Sequence, residues 1–324
     1  MIKINWLVPY DIKTPNDIKN ANLASIRLRS ALFLNESFKK FHIDFNNFDT
    51  SVKFDYIFVA KMTANTPELQ KKWLHYLNLI KKNKTKIYLD YTDNHLINDN
   101  SPLNNFYTKI INDVDTIITS SKKLKEDLNN IGFTKEILTI EDPFEIEAQP
   151  PIKNNNNVFL WFGHQSNVHY FIQMIKNWPL KKNVEIIVLT SDIGHQLINE
   201  EMQAIKISKY ISFSPFLWSQ PKMIEASKLA SGILIPGNSR DPKKNGVSNN
   251  RLVTSFALGL PVAATLYDSY SEFKEFFCNI DNVNDFAGFI ADPTRYENKL
   301  DRGRKLISKY SIATIEKKWL ALIN

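Results

Sequence analysis

The chain has 324 residues, 43% apolar and 12% aromatic, enough for two ordinary domains with real cores and unlike a disordered chain. Its formal charge of +7 admits phosphorylated ligands, an anionic membrane surface or nucleic acid, but the lysines are scattered and no aromatic-basic motif stands out, so no nucleic-acid partner is expected. The single cysteine, Cys278, excludes a disulfide framework and a cysteine-based zinc site, and among Phe276, Phe277 and Ile280 it reads as a buried structural thiol.

Only 9 glycines, and no G-x-G-x-x-G or P-loop, argue against a glycine-rich dinucleotide fold. The opening MIKINWLVPYD is too short in apolar length for a signal peptide, and no run approaches a membrane span. A soluble, cytoplasmic protein is expected. Residues 2–8 form a first strand, ended by Pro9. A long polar loop over 10–22 precedes a helix whose apolar set is Leu23, Ile26, Leu28, Ala31, Leu32 and Phe33. Arg27 or Arg29 near its start can reach a phosphate or face solvent. Residues 56–60 read as a strand. Residues 66–82 read as an amphipathic helix, with Leu69, Trp73, Leu74, Leu77 and Ile80 at helical spacing and Trp73 in the core. A strand over 86–89 runs straight into Asp90, Tyr91, Thr92, Asp93, Asn94 and His95. Polar residues just past the C-terminal end of a parallel strand lie where open α/β sheets take ligands. Asp93 is a candidate base and His95 a second; turn and cap chemistry competes for Asp90 and Asn94. A helix over 106–114, a strand over 115–119, a helix over 122–131 capped by Ser120 or Ser121, and a strand over 137–140 complete the first half. Two prolines and an asparagine run at 148–157 break all periodicity and mark the domain boundary.

VFLWF at 158–162 opens the second half and ends in Gly163, His164, Gln165, Ser166 and Asn167, an abrupt strand-to-helix turn whose glycine lets a ligand approach the backbone. His164 and His169 are five apart with no carboxylate cluster, so no metal site is expected. Strands over 184–189 and 210–213 follow, then a helix over 218–230 whose buried side is Trp218, Met223, Ile224, Leu229 and Ala230. The stretch 232–267 reads as strand, polar loop, helix, turn and strand. Its loop carries Arg240, Lys243 and Lys244, and Ser248 or Asn249 caps a helix that Gly259 and Pro261 end. A helix N-terminus offers unpaired N–H groups and a partial positive charge, so this is either a seat for a phosphate or diphosphate or a solvated basic loop. Helices over 283–290 and 293–310, and a terminal segment 312–323 with Ile315, Trp319, Leu320 and Ile323, close the chain. Strand and helix alternate in both halves, which gives two parallel sheets.

The run NGVSNNRLVTSFALGLPVAAT, with Ala257, Leu258, Gly259, Leu260, Pro261 and Val262 as its turn, resembles the donor-site motif of GT-B glycosyltransferases, in particular the family-four-like (group 1) enzymes. The resemblance covers nearly the whole chain, diffusely at first and specifically from 158 to 273. It implies an α/β fold of two Rossmann-like domains with parallel sheets facing across a cleft. An acceptor-side domain would span 1–150, a nucleotide-sugar donor domain 151–310, and a C-terminal helix over 311–324 would cross back. It implies metal-independent transfer, without a cofactor, from a UDP- or GDP-sugar to a glycan or lipid-linked acceptor in bacterial capsule or lipopolysaccharide synthesis, with peripheral contact at an anionic inner membrane. Gly163, Ser166, Asn167, Lys243, Lys244, Ser248, Asn249, Asn250 and Arg251 become donor contacts. Asp93, His95 and His164 become catalytic candidates, Arg27 and Asp90 acceptor-side residues, and Phe216 and Leu217 neighbours of the base.

Two features depart from the family. The first loop has no Gly-Gly pair. The glutamate expected three residues before the motif alanine is Thr254, and the one eight positions earlier is Gly246. Ribose recognition must differ, and retention of configuration does not follow; an inverting enzyme would take Asp93 as base. A catalytically inactive nucleotide-sugar or glycan-binding protein is the alternative. A two-domain epimerase is a third, for which the chain shows few acid-base residues.

Overall fold

The computed structural model describes residues 1–64, 66–81, 84–97, 101–203 and 209–323. The strands, in chain order, are β1 (Lys3–Leu7), β2 (His42–Phe45), β3 (Tyr56–Val59), β4 (Lys86–Tyr91), β5 (Thr116–Thr119), β6 (Glu136–Thr139), β7 (Val158–Phe162), β8 (Val184–Thr190), β9 (Ile211–Leu217), β10 (Gly232–Ile235), β11 (Val262–Ala264) and β12 (Cys278–Asn279). The helices are α1 (Pro15–Lys19), α2 (Ala24–Arg27), α3 (Pro67–Ile80), α4 (Asn104–Ile110), α5 (Lys122–Asn130), α6 (Val168–Lys176), α7 (Asp192–Gln203), α8 (Gln220–Leu229), α9 (Pro242–Asn245), α10 (Asn250–Ala257), α11 (Val283–Ala291), α12 (Glu297–Leu306) and α13 (Ile312–Ile323). They fall into two units. Unit 1 comprises Met1–Pro143, Asp241–Ser248 and Ile312–Asn324; unit 2 comprises Phe144–Arg240 and Asn249–Ser311.

Unit 1 is built on a parallel sheet in the order β2-β1-β3-β4-β5-β6. Side chains alternate across such a sheet, so each strand feeds two cores. On one face Leu7, Val59, Leu89 and Ile117 meet Trp73 and Leu77 of α3, Phe106 and Tyr107 of α4 and Leu124 of α5. Trp73 is fully buried, as its spacing required. On the other face Trp6, Phe58 and Tyr88 meet Ile315, Trp319 and Ile323 of α13. The rings of Trp6 and Phe58 stack at 4.8 Å, with Trp319 edge-on to Trp6 at 5.7 Å. The order reverses at β1, so the crevice at the carboxyl ends of β1 and β3 is the switch point where such sheets bind ligands.

The helix expected after the first loop is broken. α2 ends at Arg27, and a 3₁₀ turn follows over Ser30–Leu34. Arg29 leaves helical geometry at φ −128° and ψ −73°, and its side chain turns into the core. β2 and α7 arise where no element was expected.

Unit 2 carries a parallel sheet in the order β12-β11-β10-β7-β8-β9, with its switch point between β7 and β10. β9 runs through Pro215 to Leu217, beyond the expected end at 213, because an edge strand tolerates a missing donor. α8 starts at Gln220 under a Ser219 Oγ cap, and Leu229, expected on its buried side, is 56% exposed. The Ala257–Val262 turn seats the interdomain segment. Gly259 has φ +78°, and a Cβ there would lie 2.2 Å from the Pro150 carbonyl oxygen. Gln149 N–H donates to the Ala257 carbonyl at 2.7 Å and Ile152 N–H to the Gly259 carbonyl at 2.8 Å. Arg304 clamps the Phe256 and Gln149 carbonyls at 2.6 Å each. Among the described residues, no helix is long and apolar enough to cross a membrane.

Candidate active site

Two acidic positions on and after β4 have opposite surroundings. Asp90 shares a sheet face with Tyr88 and is 1% exposed. Arg29 Nε donates to both its oxygens at 2.7 and 2.8 Å, while Nη1 reaches Asp142 at 2.7 Å and the Ile140 carbonyl at 2.7 Å. The guanidinium also lies 5.0 Å from the Trp319 ring. Burial alone would make Arg29 easier to deprotonate, but Asp90 and Asp142 outweigh it and hold the guanidinium charged. Asp90 is thus an internal counter-ion. Arg27 donates to the carbonyls of Ala21 and Asn22 at 2.6 and 3.1 Å, closing its own loop.

Asp93 stands past the strand end and retains a solvent-facing part. Lys61, just beyond β3, places Nζ 2.5 Å from Asp93 Oδ2. Burial pushes the Asp93 carboxyl up, yet Lys61, Lys244 and His95 together hold it well below the usual carboxylate range. His95 is 3% exposed and stacks on Tyr107 at 5.0 Å. Its Nδ1 pairs with Ser101 Oγ at 2.7 Å, and its backbone N–H donates to the Tyr91 hydroxyl at 2.7 Å. Nε2 is buried, has no hydrogen-bond partner among the described residues and lies 4.0 Å from Asp93 Oδ2. Burial, reinforced by Lys243, Lys61 and Lys244 against the pull of Asp93, brings His95 down to about 4. It is neutral at pH 7.

Lys243 and Lys244 reach this place because Asp241–Ser248 belongs to unit 1. Ser121 Oγ both caps α5 and donates to the Gly246 carbonyl at 2.6 Å. A Cβ at Gly246 would come within 3.0 Å of Leu124. The short helix α9 is capped by Asp241, whose carboxylate accepts from Lys243 N–H at 2.9 Å. Unit 1 therefore gathers Lys61, Asp93, His95, Lys243 and Lys244. Ser248 is partly buried at the end of the same segment. Lys61 was not singled out in the sequence, although it obeys the strand-end rule that singled out Asp93.

Within unit 2, Gly163, His164, Ser166 and Asn167 follow β7. His164 is exposed, and its Nδ1 accepts from Ser166 N–H at 3.2 Å, capping a 3₁₀ turn over Gln165–Asn167. Arg251 Nη2 donates to the Phe162 carbonyl at 2.6 Å and braces the Gly163 turn, where a Cβ would lie 3.4 Å from the guanidinium. Burial pushes the Arg251 pKa down. Asn249 occupies the N-cap of α10, but its side chain makes no cap bond; the amide donates instead to the Tyr310 hydroxyl at 3.1 Å. Asn250 and Arg251 open the helix. Phe216 and Leu217 are exposed at the end of β9, with Lys222 Nζ 4.1 Å from the Phe216 ring centre.

No protein-family profile matches the sequence, and no curated protein does. Among solved structures, an alpha-glucosyltransferase in complex with UDP and a 13-mer DNA containing a HMU base aligns over 99% of this chain and 99% of its own, with a TM-score of 0.62 and 10% identity. TarM aligns over 83% of this chain and 54% of its own, with a TM-score of 0.61 and 15% identity, so the chain spans about half the length of TarM. A putative UDP-N-acetylglucosamine 2-epimerase from Listeria monocytogenes aligns over 99% and 95%, at 0.52 and 12%. With its two six-stranded parallel sheets, the chain has the two-domain α/β fold of the GT-B type.

Proposed function

We propose that the chain is a glycosyltransferase that moves a sugar from a nucleotide-sugar donor to an acceptor hydroxyl. The observation that carries this reading is the gathering of Lys61, Lys243 and Lys244 around Asp93 and His95 at the carboxyl edge of the unit 1 sheet. Glycosyl transfer must stabilise a departing nucleoside diphosphate and take a proton from a hydroxyl. Preorganised ammonium groups answer the first need, with about 3–4 kcal/mol lost when one such donor is removed from an active site. Asp93 answers the second: as an ionised carboxylate it accepts the hydroxyl hydrogen bond and takes the proton late, once the forming bond has acidified the hydroxyl. Neutral His95 backs it. The lysines supply the charge that a divalent metal would otherwise supply.

Unit 2 offers its own features for a donor: the Gly163 turn with Ser166 and Asn167, the first turn of α10, and an apolar face at Phe216 and Leu217 suited to a base. UDP in the alpha-glucosyltransferase complex supports testing a uridine donor first, with GDP-sugars next. A glycan or lipid-linked acceptor of bacterial surface polysaccharide synthesis, reached at an anionic membrane surface that the +7 charge would favour, completes the reading. The pinning of Asp93 by Lys61 favours one second reading, a sugar-nucleotide-binding protein without turnover.

A thermal-shift screen against UDP-, GDP-, CMP- and dTDP-sugars, followed by an assay for released nucleoside diphosphate with glycan and 13-mer DNA acceptors, tests both. A sugar nucleotide that raises the melting temperature and is turned over supports transfer. Binding without release supports the second reading, and no stabilisation by any donor removes both.

A further inference from the structure

The pairing of Lys61 with Asp93 differs in kind from that of Arg29 with Asp90. Lys61 and Asp93 keep 22% and 16% of their side chains exposed, whereas the Arg29 pair is sealed. Because each side chain of this pair keeps a part in solvent, the Lys61 ammonium can be approached by a second anion. The pair is also not alone. Lys244 acts on the same carboxylate, and Lys243 and Lys244 on the imidazole beside it. The lysine-bearing segment is anchored rather than loose, held by Ser121 on the Gly246 carbonyl and by Asp241 on the Lys243 N–H. Among the described residues His95 Nε2 has no hydrogen-bond partner, and it lies buried 4.0 Å from the carboxylate.

We propose that Lys61 is an exchangeable counter-ion: an anion of the pyrophosphate class, docking on Lys61, Lys243 and Lys244, draws the Lys61 ammonium off Asp93 and releases that carboxylate for the acceptor hydroxyl. The naming of the hydroxyl rests on the glycosyl-transfer reading; the exchange itself does not. The charged and titratable groups around Asp93 are Lys61 after β3, Lys244 in α9, His95 in its own loop, Asp90 on β4, Asp127 on α5 and the hydroxyls of Tyr91 and Tyr107. Of these Lys61 makes the short contact. When it turns to a phosphate oxygen, the carboxylate loses its nearest cation and gains a nearby anion, and both changes raise its affinity for a proton. The base is weak while the site is empty and strengthens when the leaving group's charge is in place.

Calorimetry with inorganic pyrophosphate, at pH 5.5 in two buffers of different ionisation enthalpy, reads affinity and linked protons together. The wild-type protein is expected to take up a fraction of a proton more on binding than Asp93→Asn does, the difference cancelling the protons that pyrophosphate itself releases. Lys61→Met should bind at least tenfold more weakly and take up no proton through Asp93. Asp93→Asn, which frees Lys61 in advance, should bind pyrophosphate more tightly than wild type and lack the extra uptake, so the idea stays testable if Lys61→Met fails to fold. Unchanged affinity in Lys61→Met, unchanged or weaker affinity in Asp93→Asn, or no binding to the wild-type protein overturns the exchange. Sugar-nucleotide turnover with pyrophosphate binding indifferent to Lys61 would sink the exchange and leave glycosyl transfer standing. Lys61-dependent binding with no sugar nucleotide turned over would do the reverse.

Discussion

Replacing Arg29 by Met removes the guanidinium that Asp90 and Asp142 share inside unit 1. The methionine keeps most of the stem's apolar volume, so the perturbation is mainly electrostatic. Lost with the charge are the contacts to both Asp90 oxygens, one to Asp142 and one to the Ile140 carbonyl, all within 2.8 Å. Breaking a buried ion pair from one side costs about 3–5 kcal/mol, and stranding two carboxylates places this case in the upper part of that range. For a domain of this size about 4 kcal/mol corresponds to a melting temperature lower by about 8–16 °C. The pH dependence has a definite sign. In the wild-type protein burial raises the Asp90 carboxyl and Arg29 opposes that shift. In the variant that opposition is gone and Asp90 rises further above the unfolded value of about 3.9, so the variant regains more stability than the wild-type protein as pH falls towards that value. The gap between wild type and Arg29→Met should be widest near pH 7.5 and narrower at pH 5, measured by calorimetric melts at both. A triple variant with Asp90→Leu and Asp142→Leu added should recover most of the loss, because apolar replacement of a buried ionic cluster is often neutral. A gap below about 1 kcal/mol, or one independent of pH, would refute the placement of these charges.

Four further substitutions probe the rest of the chain. Gly259→Ala forces a Cβ against the Pro150 carbonyl at positive φ and should lose more than the roughly 1–2 kcal/mol of the conformational penalty alone; Gly132→Ala, at φ +82° with nothing within 4 Å, should lose only that penalty, and equal losses in urea titrations would remove the steric argument. His95 titrates near 4 when folded and near 6.5 when unfolded, so the unfolded chain binds the extra proton between these values and stability falls as pH drops from about 6.5 towards 4. His95→Gln should flatten that part of a stability–pH curve; an unaltered slope would show that the imidazole is not the titrating group. Asp93→Asn should lower turnover by about 10²–10⁴-fold with sugar-nucleotide affinity retained, and near-normal turnover would remove Asp93 as the proton acceptor.

Legibility in the sequence tracks how local the determining physics is. VFLWF, the cap at Ser121 and the apolar stripe of 312–323 carry their own instructions, and the elements fall where those instructions put them. The first helix fails because a tertiary demand overrides its periodicity: Arg29 must leave the helix to reach Asp90 and Asp142, residues 61 and 113 positions away. α7 is obscured by a glycine in its first turn, and Gly194 is needed there because a Cβ would lie 2.2 Å from Thr190 Oγ1. The place of Asp93 just past a strand was readable. Lys61 was not, since among 41 Lys and Arg residues only the pairing of Val59 with Leu89 sets it beside that loop. The membership of Asp241–Ser248 in unit 1 is likewise a long-range fact, invisible to a reading that takes loop and helix as one motif.

The contrast between the two aspartates also explains why two different cations hold them. Arg29 engages Asp90 through Nε and Nη2 and reaches Asp142 through Nη1, a planar fork fixed in direction and fully enclosed. Such a partner holds its carboxylates permanently, and Asp90, three residues before Asp93 on a core-facing position of β4, gives the sheet edge a fixed point. Lys61 presents a single ammonium on a flexible stem, partly in solvent, with Lys244 also acting on the carboxylate. A point charge of that kind changes partners without rebuilding a planar contact. If arginine stood at 61, its fork would favour a lasting bidentate grip on Asp93; if lysine stood at 29, two carboxylates and a carbonyl would compete for one ammonium. The choice of cation at each place therefore matches what the carboxylate beneath it must do: Asp90 stays bound, and Asp93 can be released.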